Sequence, residues 1–361
     1  MSKILSYASL REFTRNVFMG MGCPESEADL ASEVLISADL RGVDSHGVAR
    51  LIGYVNLWDK NRINPTPNVR IVHETPSTAV VDGDKGLGMV VAPKAMEIAM
   101  EKAEQAGTGW VSVKNSNHYG IAGYHAMMAL ERDMIGISMT NASALVSPTF
   151  SKERLLGTNP MAFAIPSDQE DPFIADMATT TAANGKLEVL QRKGGKVPMG
   201  WVQDQEGDLS EDPYELKKGG SMRPLGGDRE HGSHKGYILG SVVDIFSAVL
   251  SGANYGPWVP PFPSFLEVPT NPVGDGIGHF AGAMRVDAFR PADEFKKDMD
   301  NWIRRFRSSQ TVKGQEKVLI PGDPEREMTQ IRQKEGIPLL DAVVTDLQGL
   351  AERFRIEFPK S

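Results

Sequence analysis

The sequence predicts an α/β fold with mainly helical ends, and three features point to it. Short β-rich runs alternate with helical patterns between residues 77 and 192, the order that builds strands covered by helices. Amphipathic helical patterns crowd both ends, at 7–60 and 293–354. A composition shift follows Pro65 and Pro67. At roughly 150 residues per domain, 361 residues accommodate two units. The expected organisation is a mainly helical domain formed by residues 1–72 plus 292–361, enclosing an α/β domain at 73–291.

The elements follow in order. Residues 7–21 and 24–40 read as helices. In the second, Leu30, Val34, Leu35 and Ala38 recur at helical spacing, and Glu25, Glu27 and Asp29 complement its positive dipole end. Gly42 and Gly47 make 41–47 a loop, and 48–60 is helical again. A strand at 77–82 ends at Gly83, and a helix at 92–106 carries Ala95, Ala99, Ala103 and Ala106 on one face before Gly107. A strand at 110–113, a helix at 120–132, strands at 135–140, 162–165 and 173–176, and a short helix at 184–192 continue the alternation. Residues 194–232, rich in Gly, Pro, Asp and Glu, are expected as loops. An apolar helix at 237–250, a Pro-rich stretch at 257–272, a strand at 281–289 and helices at 293–307 and 339–354 complete the chain.

Composition excludes several classes. With 39 basic and 47 acidic side chains the formal net charge is −8, which argues against nucleic-acid or anionic-membrane binding. One cysteine, Cys23, excludes an internal disulfide framework and a thiolate-rich zinc site. No apolar run reaches the ~20 residues of a membrane span, and the first residues lack the pattern of a signal peptide. A cytoplasmic protein is expected. Neither G-x-G-x-x-G after a strand, nor a P-loop, nor G-x-S-x-G occurs.

Four constellations could carry chemistry. In Asp44-Ser45-His46-Gly47-Val48-Ala49-Arg50, Ser45 and His46 could share a proton with a substrate oxygen, and Arg50 offers a planar fork for a carboxylate. The same residues also read as a helix-capping loop, with Asp44 or Ser45 as N-cap. His118, between a strand and a helix, has the ordinary pKa of a general acid/base, although Ser116 or Asn117 could equally cap a plain turn. His125 shares its face and reads as packing. Asp176 ends a strand followed by small and hydroxyl-bearing residues, and could bind a ribose hydroxyl, orient a histidine or cap a helix. Lys235, at the start of the 237–250 helix, suits a pyrophosphate. His231 and His234 are spaced for a metal but lack further ligands nearby, so no metal site is expected.

Five segments carry a family resemblance: ADLRGVDSHGVARL (38–51), NSNHYGIAGYHA (115–126), GTNPMAFAIP (157–166), DMATTTAANGK (176–186) and SHKGYILGSVVDIFSAVLSGA (233–253). Together they resemble the malate/L-lactate dehydrogenase family of the second type, which includes ureidoglycolate, sulfolactate and diketogulonate dehydrogenases and cyclic-imine reductases. The resemblance implies a nicotinamide cofactor, NAD or NADP, held on a non-Rossmann α/β domain, and a homodimer. It implies His118 as acid/base, Ser45, His46 and Asp176 as a proton relay, and Arg50 as the substrate's carboxylate clamp. It places Asn141, Ala142, Asp176, Met177, Ala178 and Lys235, with Gly276 and Gly278, at the cofactor. The implied reaction is hydride transfer between NAD(P)H and a small 2-oxo acid, with malate chemistry first. Cyclic-imine reduction and ureidoglycolate or sulfolactate oxidation are alternatives. A histidine-dependent metallohydrolase (His118, His125, His231 or His234) and a binding protein without turnover are readings from other classes.

Overall fold

The structure is a computed structural model that describes residues 3–359. Its centre is a seven-stranded sheet, in the order Arg70–Glu74, Thr78–Asp82, Thr108–Ser116, Ile277–Arg285, Met134–Thr140, Met161–Ile165 and Phe173–Met177. Thr78–Asp82 and Thr108–Ser116 run parallel, and every other neighbouring pair is antiparallel. A doubly wound dinucleotide fold has a mostly parallel sheet, so the missing glycine fingerprint accords with this topology.

Small residues let the backbone layers meet. Helix Gly88–Ala106 lays Ala95, Ala99 and Ala103, all fully buried, on the sheet beside Val81, Val111, Val113 and Ala283. A side chain at Gly109 would overlap the Ala99 carbonyl of that helix, and one at Gly136 the Ala126 carbonyl of Ala122–Met127. The helix begins a turn before the expected residue 92, because Gly88 packs against the backbone of Asn117 and His118. That close approach is a tertiary effect absent from the local pattern.

A second core joins the two chain ends. Helices Tyr7–Gly20, Glu25–Leu40 and Leu51–Asp59 bury Leu10, Phe13, Leu35 and Tyr54 against Val343, Leu347 and Leu350 of Asp341–Phe354. Strand Lys3–Leu5 pairs antiparallel with Ile337–Leu339; at three residues each, neither shows a periodicity of its own. Helix Ala292–Arg307 instead lies at the edge of the large sheet. Its Asp300 accepts the backbone N–H groups of Asp168, Gln169 and Glu170, and Trp302 meets Phe173 edge-on.

The stretch expected as loops contains structure. Val202–Gln203 pairs with both Leu209–Ser210 and Ser221–Met222, and Glu215–Lys218 forms one helical turn. These pieces are too short for periodicity, and they are held by a local core of Val202, Leu216 and Met222 with Leu145, Val146 and Leu187. Helix Asp323–Glu335 also escapes the sequence pattern, because its buried side is polar: Arg332 is 6% exposed and reaches the Asp39 carbonyl and the Asp44 carboxylate.

Candidate active site

The loop after Glu25–Leu40 makes two short 3₁₀ turns, Asp44–His46 and Val48–Arg50, before helix Leu51–Asp59 begins. Asp44 caps neither turn; it pairs with Arg332 instead. Beneath the loop, buried Asp39 accepts the Val48 N–H at 2.7 Å. Burial pushes the Asp39 carboxyl up to about 8, which favours the neutral form in which it holds the loop with little buried charge. A side chain at Gly47 would overlap that carboxyl group.

The turns aim Ser45, His46 and Arg50 at His118. Ser45 Oγ lies 2.8 Å from His46 Nδ1, and Arg50 Nε donates to the Ser45 carbonyl at 2.6 Å. The His46 and His118 rings stack with centroids 5.8 Å apart and planes 21° apart. Tyr54, one helical turn after Arg50 and fully buried, places its hydroxyl 2.6 Å from His118 Nδ1, and Phe262 packs on the His118 ring at 4.8 Å. Tyr54 and Phe262 were not legible as site residues. Tyr54 reads as helix core, and Phe262 lies in a Pro-rich stretch with no periodicity.

Protonation follows from these contacts. The Gly120 N–H also points at His118 Nδ1, at 3.4 Å. The Tyr54 hydroxyl can donate to Nδ1 or accept from it; when Nδ1 carries the ring proton and gives it to the Tyr54 oxygen, a neutral His118 leaves Nε2, which has no hydrogen-bond partner among the described residues, free to take a proton. Burial pushes the His118 pKa well below the ordinary value, with His46, Arg50 and His279 adding in the same direction. Burial, then Arg50, lowers His46 to about 4. Burial also raises Tyr54, so its phenol stays protonated. Two imidazoles that favour their neutral forms therefore lie beside the Arg50 guanidinium.

Ser45 and Arg50 line a cleft of ≈ 970 Å³ with Arg62, Asn184, Glu188 and Phe262. Within it Arg50 forks onto Glu188, at 3.2 Å from Nη1 to Oε1 and 2.9 Å from Nη2 to Oε2.

Asp176 stands elsewhere. Its carboxylate accepts the Gly123 N–H at 2.8 Å, at the start of helix Ala122–Met127. Desolvation raises its carboxyl to about 6 although the residue is exposed; the Gly123 N–H and Arg41 act the other way. It makes no hydrogen bond to His46 or His118. Lys235 is exposed in the first turn of helix Ser233–Asp244. That turn packs near the end of the Asp176 strand: a side chain at Gly236 would overlap the backbone of Leu225, whose N–H bonds to Thr179 O three residues beyond Asp176. Asn141 is buried and its side chain is spent internally. It donates to Asp244 and to the Asn254 carbonyl, and accepts the Gly278 N–H. The Ala142 N–H donates to Asn159. Gly278 abuts the Ser247 carbonyl, and Gly276 has φ +57° against Asn115, so close packing alone accounts for both glycines.

The four histidines of the hydrolase reading are not gathered. His125 bonds to the Tyr119 carbonyl, His231 to Asp228 and His234 to Arg229. Among the described residues no group of three His, Cys, Asp or Glu could hold a metal.

Fold and site together suit a small-molecule enzyme, with a guanidinium fork lining the cleft and two imidazoles packed beside it that are not themselves among the lining residues. The chain belongs to the malate/L-lactate dehydrogenase family, whose model matches residues 5–348. It is 43% identical to a malate dehydrogenase of Pyrococcus abyssi over 349 residues, 96% of this chain and 94% of that protein. It is 37% identical to an L-sulfolactate dehydrogenase of Methanocaldococcus jannaschii, covering 93% of each. The crystal structure of a malate dehydrogenase from Entamoeba histolytica superposes over the whole of both chains with TM-score 0.93 at 36% identity. The protein is thus a dehydrogenase acting on a 2-hydroxy acid, and its family implies a nicotinamide cofactor.

Proposed function

We propose that this enzyme interconverts malate and oxaloacetate with NAD as cofactor, NADP being the alternative. The observation that carries the reading is the unpartnered Nε2 of His118 close to the guanidinium fork of Arg50, which here is held by Glu188. Arg50 binds the carboxylate next to the reacting carbon. His118 gives its proton to the carbonyl oxygen in reduction and takes the hydroxyl proton in oxidation. Tyr54 bears on Nδ1 and keeps Nε2 aimed at the oxygen, and Ser45 with His46 polarises the same atom. The nicotinamide, when bound, supplies or accepts the hydride.

The exposed surface at Asp176 suits that cofactor. A solvent-open carboxylate suits a ribose hydroxyl, and the exposed Lys235 at a helix N-terminus suits a pyrophosphate. The Asp176–Ala178 strand end, Asn141, Ala142, Gly276 and Gly278 belong to the same proposed cofactor site by the family resemblance. Asp176 serves the cofactor in this reading rather than the proton relay.

A homodimer is part of the proposal. Ile238, Ile245, Val249 and Leu250 leave an exposed apolar stripe along Ser233–Asp244 and the turn after it, the kind of surface a second copy covers. Sedimentation at twice 39.4 kDa is the expected result. No helix of the described residues is long and apolar enough to cross a membrane, and we place the enzyme in the cytoplasm.

Cyclic-imine reduction is the second reading. Its support is the Ser45–His46 pair and the similarity to a delta1-piperideine-2-carboxylate reductase from Pseudomonas syringae, at 25% identity and TM-score 0.82. The deciding experiment follows 340 nm absorbance with malate, lactate, sulfolactate, ureidoglycolate and piperideine-2-carboxylate, each with both nicotinamide nucleotides. The expected result is the highest kcat/KM with malate, and a larger thermal shift with NADH than with NADPH. Turnover of the imine alone would move the assignment to reduction of C=N.

Tyr54→Phe removes the phenol while keeping the ring that packs on Phe262. The loss of one buried hydrogen bond, about 1 kcal/mol, predicts a roughly five- to tenfold lower kcat with little change in KM. Steady-state kinetics on malate checks this split.

A further inference from the structure

Helix Asn184–Lys193 is anchored away from the catalytic loops and yet touches them. Leu187, fully buried, packs into the small core of Leu145, Val202, Leu216 and Met222. Its other side lies directly on the 3₁₀ turns: any side chain at Gly185 would overlap Ser45 Cβ and come 3.0 Å from Arg50 Nη2. From this helix Glu188 presents both carboxylate oxygens to both terminal nitrogens of Arg50. Asn184, one turn earlier, donates to Glu188 Oε1 at 2.9 Å and fixes its orientation. Neither partner is sealed in: side-chain exposures are 18% for Arg50 and 32% for Glu188, and both line the large cleft.

We propose that Glu188 is a built-in carboxylate that occupies the Arg50 fork in the empty enzyme and yields it to the substrate's carboxylate. The inference rests on the reading of Arg50 as the substrate clamp. A bidentate guanidinium–carboxylate pair fills the geometry that an incoming 2-oxo acid needs. Substrate binding therefore displaces Glu188, and apparent affinity is reduced by the fraction of molecules whose fork is already filled. Glu188 thereby sets which acids compete well: a strongly held carboxylate displaces it, and an uncharged analogue does not.

The test uses the full-length enzyme with NADH, oxaloacetate as substrate and oxalate as a dead-end probe. Glu188→Gln keeps the size and the Asn184 contact but removes the charge. The expected result is a 3- to 10-fold lower KM for oxaloacetate, a matching gain in oxalate affinity by calorimetry, and a change in kcat smaller than that in KM. Glu188→Asp, too short to reach both nitrogens, should fall between wild type and Gln. An unchanged or raised KM in Glu188→Gln, with its thermal midpoint retained, overturns the proposal, because Glu188 would then be idle or would be orienting Arg50. Should the Gln variant unfold, the Asp variant and the oxalate titration decide by the same signs. Arg50→Met run in parallel separates the two levels. If it leaves the KM for oxaloacetate unchanged, the clamp reading itself falls. If it raises KM while Glu188→Gln also raises it, only the Glu188 proposal falls.

Discussion

His118→Asn lowers turnover by roughly 10²–10⁴-fold, the scale of a lost general acid/base, while cofactor binding followed by thermal shift stays at the wild-type level. Asn keeps a polar group of similar reach near Tyr54 but cannot carry a transferable proton. Near-wild-type turnover in a folded variant would remove His118 from the mechanism. The pH profile gives an independent signature. Burial and the neighbouring charges hold His118 well below its ordinary pKa, so in the free enzyme the protonated form is a minority at neutral pH and shrinks as pH rises. Oxidation uses the neutral ring, so its kcat/KM should be level from pH 7 to 8. Reduction uses the protonated ring, so its kcat/KM should fall about tenfold per pH unit over the same window. In His118→Asn the residual reduction loses that slope. A slope that survives the substitution would assign the proton to another group, Asp176 (about 6) and Asp39 (about 8) being the carboxyls raised toward that window.

The same physics decides what was legible in the chain. Ser45, His46 and Arg50 lie within six residues, and the 3₁₀ turns that join them keep their side chains together, so a local cluster in sequence is a cluster in space. His118 was legible because it ends a strand, where sheets present residues to ligands. Glu188 was not: it meets Arg50 across 138 positions of chain, and on its own helix it reads as one solvated acid between Leu187 and Val189. Tyr54 escaped for the opposite reason, since a fully buried aromatic in an apolar helix carries the signature of core. The large strands and helices announce themselves by periodicity. The three-residue pair Lys3–Leu5 and Ile337–Leu339 and the two-residue strands near 202–222 do not, because their order comes from partners far away in the chain. Asn141 shows a subtler limit. Its segment was readable as site wall, but its side chain is consumed by Asp244, Asn254 and Gly278, and its N–H and carbonyl are bonded to Gly278 and Thr140.

Arg50→Met is the sharpest test of substrate class. Methionine preserves much of the side-chain length and removes the planar fork and the charge. A buried or half-buried charged hydrogen-bonded pair contributes about 2–5 kcal/mol to binding when one partner is truncated, so KM for malate and oxaloacetate should rise by about 10²-fold. The two neighbours of Arg50 push the outcome in different directions. Loss of its charge relieves the field on His118 and His46, so the imidazole should protonate more readily and the reduction profile should shift to higher pH. Loss of its partner strands Glu188 as an uncompensated carboxylate in the cleft, which repels an anionic substrate further. The combined variant with Glu188→Gln should therefore recover part of the lost affinity without restoring the clamp. Comparison of a 2-oxo acid with its uncharged amide isolates the effect, because only the acid should lose affinity in Arg50→Met. Equal losses for both compounds would show that Arg50 shapes the loop around Ser45, to whose carbonyl it donates at 2.6 Å, and does not grip the substrate.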